Sequence, residues 1–200
     1  LSIEGVVGLS IGTRPDCVED DVLDLLADLS KKHFILLELG VESTHNDTLA
    51  RINRGHSFET SVDAIQRAHN KGILTAAHLI MGLPGENKAR ILESADKMAH
   101  LPIDMIKLHQ LQIIKNTALA KQFLANPSNI PLFSCDEYID LCIDVMERLN
   151  PTICIERFVS QSPEAWRIAP NWQLKNYEFV HRLEARIKER GAFQGRLFQN

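Results

Sequence analysis

The sequence predicts an α/β fold built on parallel strands, and two observations carry that expectation. Short, almost wholly apolar runs of strand length recur along the chain, too continuous for half-exposed strands and therefore suited to a sheet covered on both faces. Each run ends in a turn and hands over to a stretch of helical period, in the order β-α-β-α-β-α-β-α-α-β-α. Connections of that kind make parallel strands with right-handed crossovers, in a barrel or an open sheet. In both architectures ligands sit at the C-terminal ends of the strands.

Taken in order, the first strand is expected at about Val6 to Ile11, stopped by the turn Gly12-Thr13-Arg14-Pro15-Asp16. Asp16, Glu19, Asp20 and Asp21 then favour the positive end of a helix whose inward stripe reads Val22, Leu25, Leu26 and Leu29. A second strand runs from His33 to Val41, and reading on by twos places Glu38, Gly40 and Glu42 on one face. Ser57 is an N-cap for a helix over Phe58 to Lys71, with Val62, Ile65 and Ala68 inward and Gly72 at its C′ position. The third strand, Ile73 to Met81, contains one strongly polar residue, His78, and ends at Gly82-Leu83-Pro84-Gly85, a turn whose backbone can approach a ligand closely. The helix after it carries Ile91, Leu92, Ala95, Met98 and Ala99 on one face.

Met105 to Ile114 alternates as a fourth strand, with Ile106, Leu108 and Gln110 opposite Lys107, His109 and Leu111. A helix over Ala118 to Leu124, a loop over Asn126 to Pro131 and a long helix over Cys135 to Leu149 precede a fifth strand, Thr152 to Phe158. Two parts are expected: a strand-and-helix domain over residues 1–158, and an extension over 159–200. The extension reads as an irregular segment to Trp172 and a terminal helix with Leu174, Tyr177, Val180, Leu183 and Ile187 inward. Arg186, Lys188, Arg190 and Arg196 make its end basic, which complements the helix dipole or offers a contact to RNA or a partner.

Composition excludes several classes. Hydrophobic residues at 44% and charged residues at 24% are those of an ordinary globular protein. A net charge of −4 gives no global footprint for nucleic acid or anionic membranes. No apolar run approaches the roughly 20 residues needed to cross a bilayer, and no signal peptide is visible. Cys17, Cys135, Cys142 and Cys154 form no CxxC or CxxxCxxC pattern, and they read as free, mostly buried thiols in a reducing cytoplasm. The absence of an initiating Met and the near-immediate first strand predict a fragment. The polar residues that stand out, Thr13, Arg14, Glu42, His78, His109 and Glu156, are all expected at strand C-terminal ends, where a site belongs. Glu38, inside an apolar run, reads as a structural ion pair or part of a ligand site, and Arg14 and Arg157 as substrate contacts or partners for such acids.

The stretches GTRPD (12–16), LELGVES (37–43), LARINRGHS (49–57), AHLIMGLPGE (77–86), IKLHQLQIIKNTAL (106–119) and IERFVSQSP (155–163) resemble the radical S-adenosylmethionine (SAM) superfamily. Within it they are most similar to the bacterial YhcC-like group, near oxygen-independent coproporphyrinogen oxidase and the catalytic subunit of Elongator. The resemblance spans Val6 to Trp172. It implies the C-terminal part of a partial (β/α)6 barrel with a helical extension. It also implies a [4Fe–4S] cluster held by CxxxCxxC, reductive cleavage of SAM to a 5′-deoxyadenosyl radical, and an electron donor such as flavodoxin or ferredoxin. Glu42 matches the position that bonds the ribose hydroxyls, and Arg54 one that pairs with the methionine carboxylate. Gly82 matches the adenine-side glycine motif, His78 lies where relatives carry a polar residue near SAM, and the backbone around Leu108 and His109 would flank the adenine. The family motif has glycine where this chain has His78, and its acid falls one residue before Glu86. The CxxxCxxC motif and the glycine motif for SAM's amino group are absent, so about two βα units are expected to precede Leu1, and this chain alone holds no cluster. The alternatives are a barrel hydrolase or lyase with a metal on Glu42, His78 and His109, and a non-catalytic binding module.

Overall fold

The computed structural model describes residues 3–199. Its main sheet has the strand order β1-β2-β3-β4-β6, all parallel, and consecutive strands are separated by helices, as the α/β class requires. The strands are β1 (Gly8–Thr13), β2 (Phe34–Glu42), β3 (Leu74–Met81), β4 (Met105–Gln110) and β6 (Cys154–Arg157). The helices are α1 (Asp20–Ser30), α2 (Asn46–Arg51), α3 (Phe58–Asn70), α4 (Lys88–Ala99), α5 (Ala118–Ala125), α6 (Cys135–Met146) and α7 (Asn176–Arg190). The chain divides into two compact units. The first comprises residues 1–79, 101–107 and 152–156; the second comprises 80–100, 108–151 and 157–200.

In the first unit, β2 is the central strand. Ile35, Leu36, Leu37, Leu39 and Val41 are all buried, so both faces of the strand are covered, as its unbroken apolar run predicts. Strand β1 is an edge, paired to β2 in register from Gly8–Phe34 to Thr13–Leu39, and lies two residues later than expected. Helix α1 buries Leu26 as expected but adds Leu23, while the expected Val22 and Leu25 are 40% and 60% exposed. Apolar residues at 22, 23, 25 and 26 fit two stripes, and packing against the sheet selects one of them. Helix α3 begins at Ser57, whose Oγ accepts from Thr60 N at 3.3 Å, and Gly72 follows its end at φ +73°.

In the second unit the expected ten-residue strand breaks after Gln110. Ile113–Ile114 forms β5, antiparallel to β7 (Arg167–Ala169), so the segment expected to be irregular contains a strand. Helix α6 ends at Met146, three residues short of expectation, and opens with a reciprocal cap. Ser134 Oγ accepts from Glu137 N at 3.3 Å, while Ser134 N donates to Glu137 Oε2 at 2.8 Å. Ser134→Ala is expected to lower stability by about 1 kcal/mol, read as the midpoint of chemical denaturation. Helix α7 buries Phe179 and Leu183, while the expected Tyr177 and Val180 are 66% and 38% exposed. An aromatic cluster decides this phase. Phe179 stacks on Trp172 at 5.9 Å, both rings meet Tyr138, and the Tyr138 hydroxyl donates to Phe158 O at 2.8 Å.

The basic end of α7 is engaged by acids of α6 and its C-terminal end. Arg186 forks onto Asp140 at 2.8 and 3.2 Å, Arg190 reaches Asp144 at 2.5 Å, and Arg196 reaches Glu147 at 2.5 Å. Three of the four residues of that basic cluster therefore fasten the unit internally. Of the four thiols only Cys142 is buried; Cys17 and Cys154 are exposed, contrary to expectation. Among the described residues no helix is long and apolar enough to cross a membrane.

Candidate functional site

The site begins at an irregularity in β2. Gly40 pairs with His78 of β3, but the next registered pair is Glu42 with Leu79, so one residue is looped out of the ladder. Glu42 adopts φ +66°, a left-handed conformation uncommon for a residue with a side chain and concentrated at ligand sites. Arg54 arrives from the loop between α2 and α3. Its Nη2 donates to Gly40 O at 2.6 Å and lies 3.5 Å from Glu42 Oε1. Gly40 makes this possible: a Cβ there would sit 2.6 Å from Glu42 Oε1 and closer still to the Arg54 guanidinium. The pair is half-buried, with side chains 16% and 21% exposed. Burial raises the Glu42 pKa more than the Arg54 charge lowers it. The Arg54 Nε is buried with no hydrogen-bond partner among the described residues. An incompletely satisfied guanidinium beside a carboxylate can receive a ligand that offers both an acceptor and hydroxyl donors.

On the same face of the sheet lies a charged layer, one residue from each of the five strands: Ser10, Glu38, His78, Lys107 and Glu156. Lys107 Nζ donates to Glu38 Oε2 at 2.5 Å and lies 3.0 Å from Glu156 Oε1. His78 Nε2 meets Glu38 Oε2 at 2.8 Å, and Ser10 Oγ donates to Glu38 Oε1. Burial opposes ionisation of Glu38. Hydrogen bonds from Lys107, Ser10 and His78 outweigh it and hold the carboxyl at about 2. Burial also lowers the His78 pKa, against the raising effect of Glu38, so the imidazole is neutral at pH 7 and carries its proton toward Glu38.

The structure brings Glu42 and Arg54 together, a meeting that the sequence does not itself specify. His78 pairs with Gly40, three residues before the end of β3 at Met81. Glu156 is the last residue but one of β6, near the strand end as expected, and Lys107 is the cation on Glu38, a role offered for Arg14 and Arg157 as the alternative to substrate contact. The alternation in β4 set Lys107 and His109 apart as the polar face; it was the available signal. In the second unit Gly82 has φ +93°, and its close approach is to the Phe133 ring, 3.1 Å from where a Cβ would lie. Leu108 is wholly buried and its side chain belongs to the core; His109 is half-buried. Among the described residues no group of three or more His, Cys, Asp or Glu could hold a metal ion, so the metal alternative on Glu42, His78 and His109 finds no ligand set.

Comparison with known proteins adds an independent line. A model described as the radical SAM superfamily matches residues 1–98, and one described as the radical SAM C-terminal domain matches residues 103–189. The chain is similar to the uncharacterized protein YtqA of Bacillus subtilis, 34% identical over 199 residues, which is all of this chain and 61% of YtqA. It is similar to YhcC of Escherichia coli K12, 34% identical over 96% of this chain and 62% of YhcC. Among solved structures, archaeal Elp3 of Methanocaldococcus infernus with an N-terminal deletion superposes with a TM-score of 0.81. That likeness is at 21% identity, covers 94% of this chain and 43% of Elp3, and shows the fold alone. The chain thus spans 61–62% of the length of these two curated relatives.

Proposed function

The chain belongs to the radical SAM superfamily, and from that premise we propose that its Glu42–Arg54 pair is part of the SAM site of a radical enzyme. The observation that carries the reading is the Gly40 gap, which seats a strained carboxylate and an incompletely satisfied guanidinium at the C-terminal end of β2. Glu42 accepts from two adjacent ribose hydroxyls, a task for which a carboxylate's two oxygens are suited. Arg54 pairs with the methionine carboxylate through charge-assisted bonds. His78 contributes a neutral, oriented imidazole beneath the Gly40 gap. When bound, SAM and a reduced [4Fe–4S] cluster supply a carbon radical for hydrogen abstraction. The cysteines of this chain do not fit that cluster, since none are spaced CxxxCxxC. The proposal therefore assigns the cluster to other residues of the full-length protein, fed in the cytoplasm by an electron carrier such as flavodoxin or ferredoxin.

The test uses the full-length protein, purified anaerobically and reconstituted with iron and sulfide, and measures 5′-deoxyadenosine formed from SAM with a reductant. Glu42→Ala and Arg54→Ala are each expected to weaken apparent SAM affinity by about tenfold or more, since a hydrogen bond to a charged group contributes about 1.5–3 kcal/mol. Variants that cleave SAM at wild-type concentrations and rates would remove these residues from the site.

A further inference from the structure

The loop that carries Arg54 is pinned from outside by a residue of the GTRPD segment. We propose that Arg14 is a positioning residue that holds the loop over residues 53–56, and with it Arg54, in place. Arg54 is poorly located by its own contacts. Its Nη2 makes one hydrogen bond, to Gly40 O, and approaches Glu42 only to 3.5 Å, while its Nε has no partner among the described residues. The backbone must supply the rest. Asn53 turns at φ +54° and Gly55 at φ +87°, and the Asn53 and Arg54 amides bond Ala50 O and Leu49 O at 3.0 and 2.9 Å.

Arg14 lies directly on this turn. A Cβ on Gly55 would sit 2.9 Å from Arg14 Nη2 and 3.5 Å from Cζ, so the guanidinium rests on the bare Gly55 backbone. Gly55 itself is required for its positive φ. Arg14 is itself fixed. Its Nε donates to Asp16 Oδ1 at 2.8 Å and its Nη2 to Asp16 Oδ2, a planar fork that sets the guanidinium's orientation. The bond from Arg14 keeps the Asp16 carboxyl below its ordinary range, so the fork persists at neutral pH. The segment behind it is rooted. Pro15 is buried, residues 15–17 form a 3-10 turn closed by Cys17 N to Arg14 O at 3.1 Å, and that turn packs against α3. Both anchors of the clamp therefore belong to the first unit.

The consequence for SAM rests on the proposed function; the clamp itself does not. The experiment takes the full-length reconstituted protein and its Arg14→Ala, Asp16→Asn, Arg54→Ala and Arg14→Ala/Arg54→Ala variants. Amide hydrogen exchange at Asn53 and Arg54 reads the clamp, and calorimetric titration with SAM in the absence of reductant reads its effect. Arg14→Ala is expected to accelerate exchange at both amides and to weaken SAM binding by no more than Arg54→Ala does, since a misplaced Arg54 loses part or all of its charge-assisted bond. Asp16→Asn changes both in the same direction by less, and provides the reading if Arg14→Ala does not fold. In the Arg54→Ala background, loss of Arg14 is expected to add nothing, because its action passes through Arg54. Unchanged exchange in Arg14→Ala overturns the clamp. Losses that multiply in the double variant also overturn it, because Arg14 would then touch the ligand itself. Faster exchange with Arg54→Ala binding SAM normally upholds the clamp and discards the SAM reading instead.

Discussion

Lys107→Met is expected to destabilise the protein by about 3–5 kcal/mol, because it removes the ammonium shared by the partly buried Glu38 carboxylate and Glu156 of the charged layer. The Lys107 side chain is 8% exposed and that of Glu38 12%, so water cannot replace the ammonium at little cost. The loss reflects a stranded charge more than the value of the pair, so Lys107→Met combined with Glu38→Gln is expected to recover a large part of it. The pH dependence supplies the sign. The Glu38 carboxyl is depressed from 4.5 to about 2, so the unfolded chain binds more protons than the folded one between those values. Its contribution, about 3 kcal/mol, is fully present above about pH 4.5 and is lost as pH falls through about 2. His78, depressed below 6.5, acts in the same sense and opens the acid-sensitive window earlier. Unfolding free energies at pH 7, 4.5 and 3 read both effects. An acid slope unchanged by Lys107→Met would mean that Lys107 is not what holds Glu38 ionised.

Gly40→Ala is expected to weaken SAM binding by about a hundredfold while shifting the melting temperature by only a few degrees. The added methyl would meet Glu42 Oε1 at 2.6 Å and the Arg54 guanidinium closer still, and both are ends of flexible side chains that swing away rather than unfold the strand. Arg54 then surrenders its bond to Gly40 O. Glu42, its pKa already raised by burial, loses the opposing charge and is driven further toward the neutral acid, which cannot accept from two hydroxyls equally. Gly12→Ala is the control. Gly12 pairs with Glu38 across β1 and β2, yet a Cβ there meets nothing within 4 Å. Titration with SAM compares the two. Wild-type affinity in Gly40→Ala would show that the gap does not shape the binding geometry.

The helices and strands were legible where the signal is local. The unbroken apolar run of β2 predicts a strand covered on both faces, and Ser57 and Gly72 mark the ends of α3. Local pattern failed where it was degenerate. In α1 and α7 adjacent apolar residues define two candidate stripes, and the choice rests on partners distant in sequence, as Trp172 and Tyr138 choose Phe179. At the site, Glu42, Gly40 and Arg54 stood out as residue types, but the looped-out register and the left-handed Glu42 that let them meet did not.

By itself the sequence determined the fold class, the family and the residue types at the C-terminal end of β2, because periodicity, turn chemistry and motif spacing act over a few neighbouring positions. The tertiary structure alone decided which charges meet. Glu38 and Lys107 are 69 residues apart, Arg54 and Gly40 are 14 apart, and Arg14 reaches Gly55 across α1, β2 and α2. A parallel sheet joins residues through register between strands that are remote in the chain, and no local pattern encodes that register.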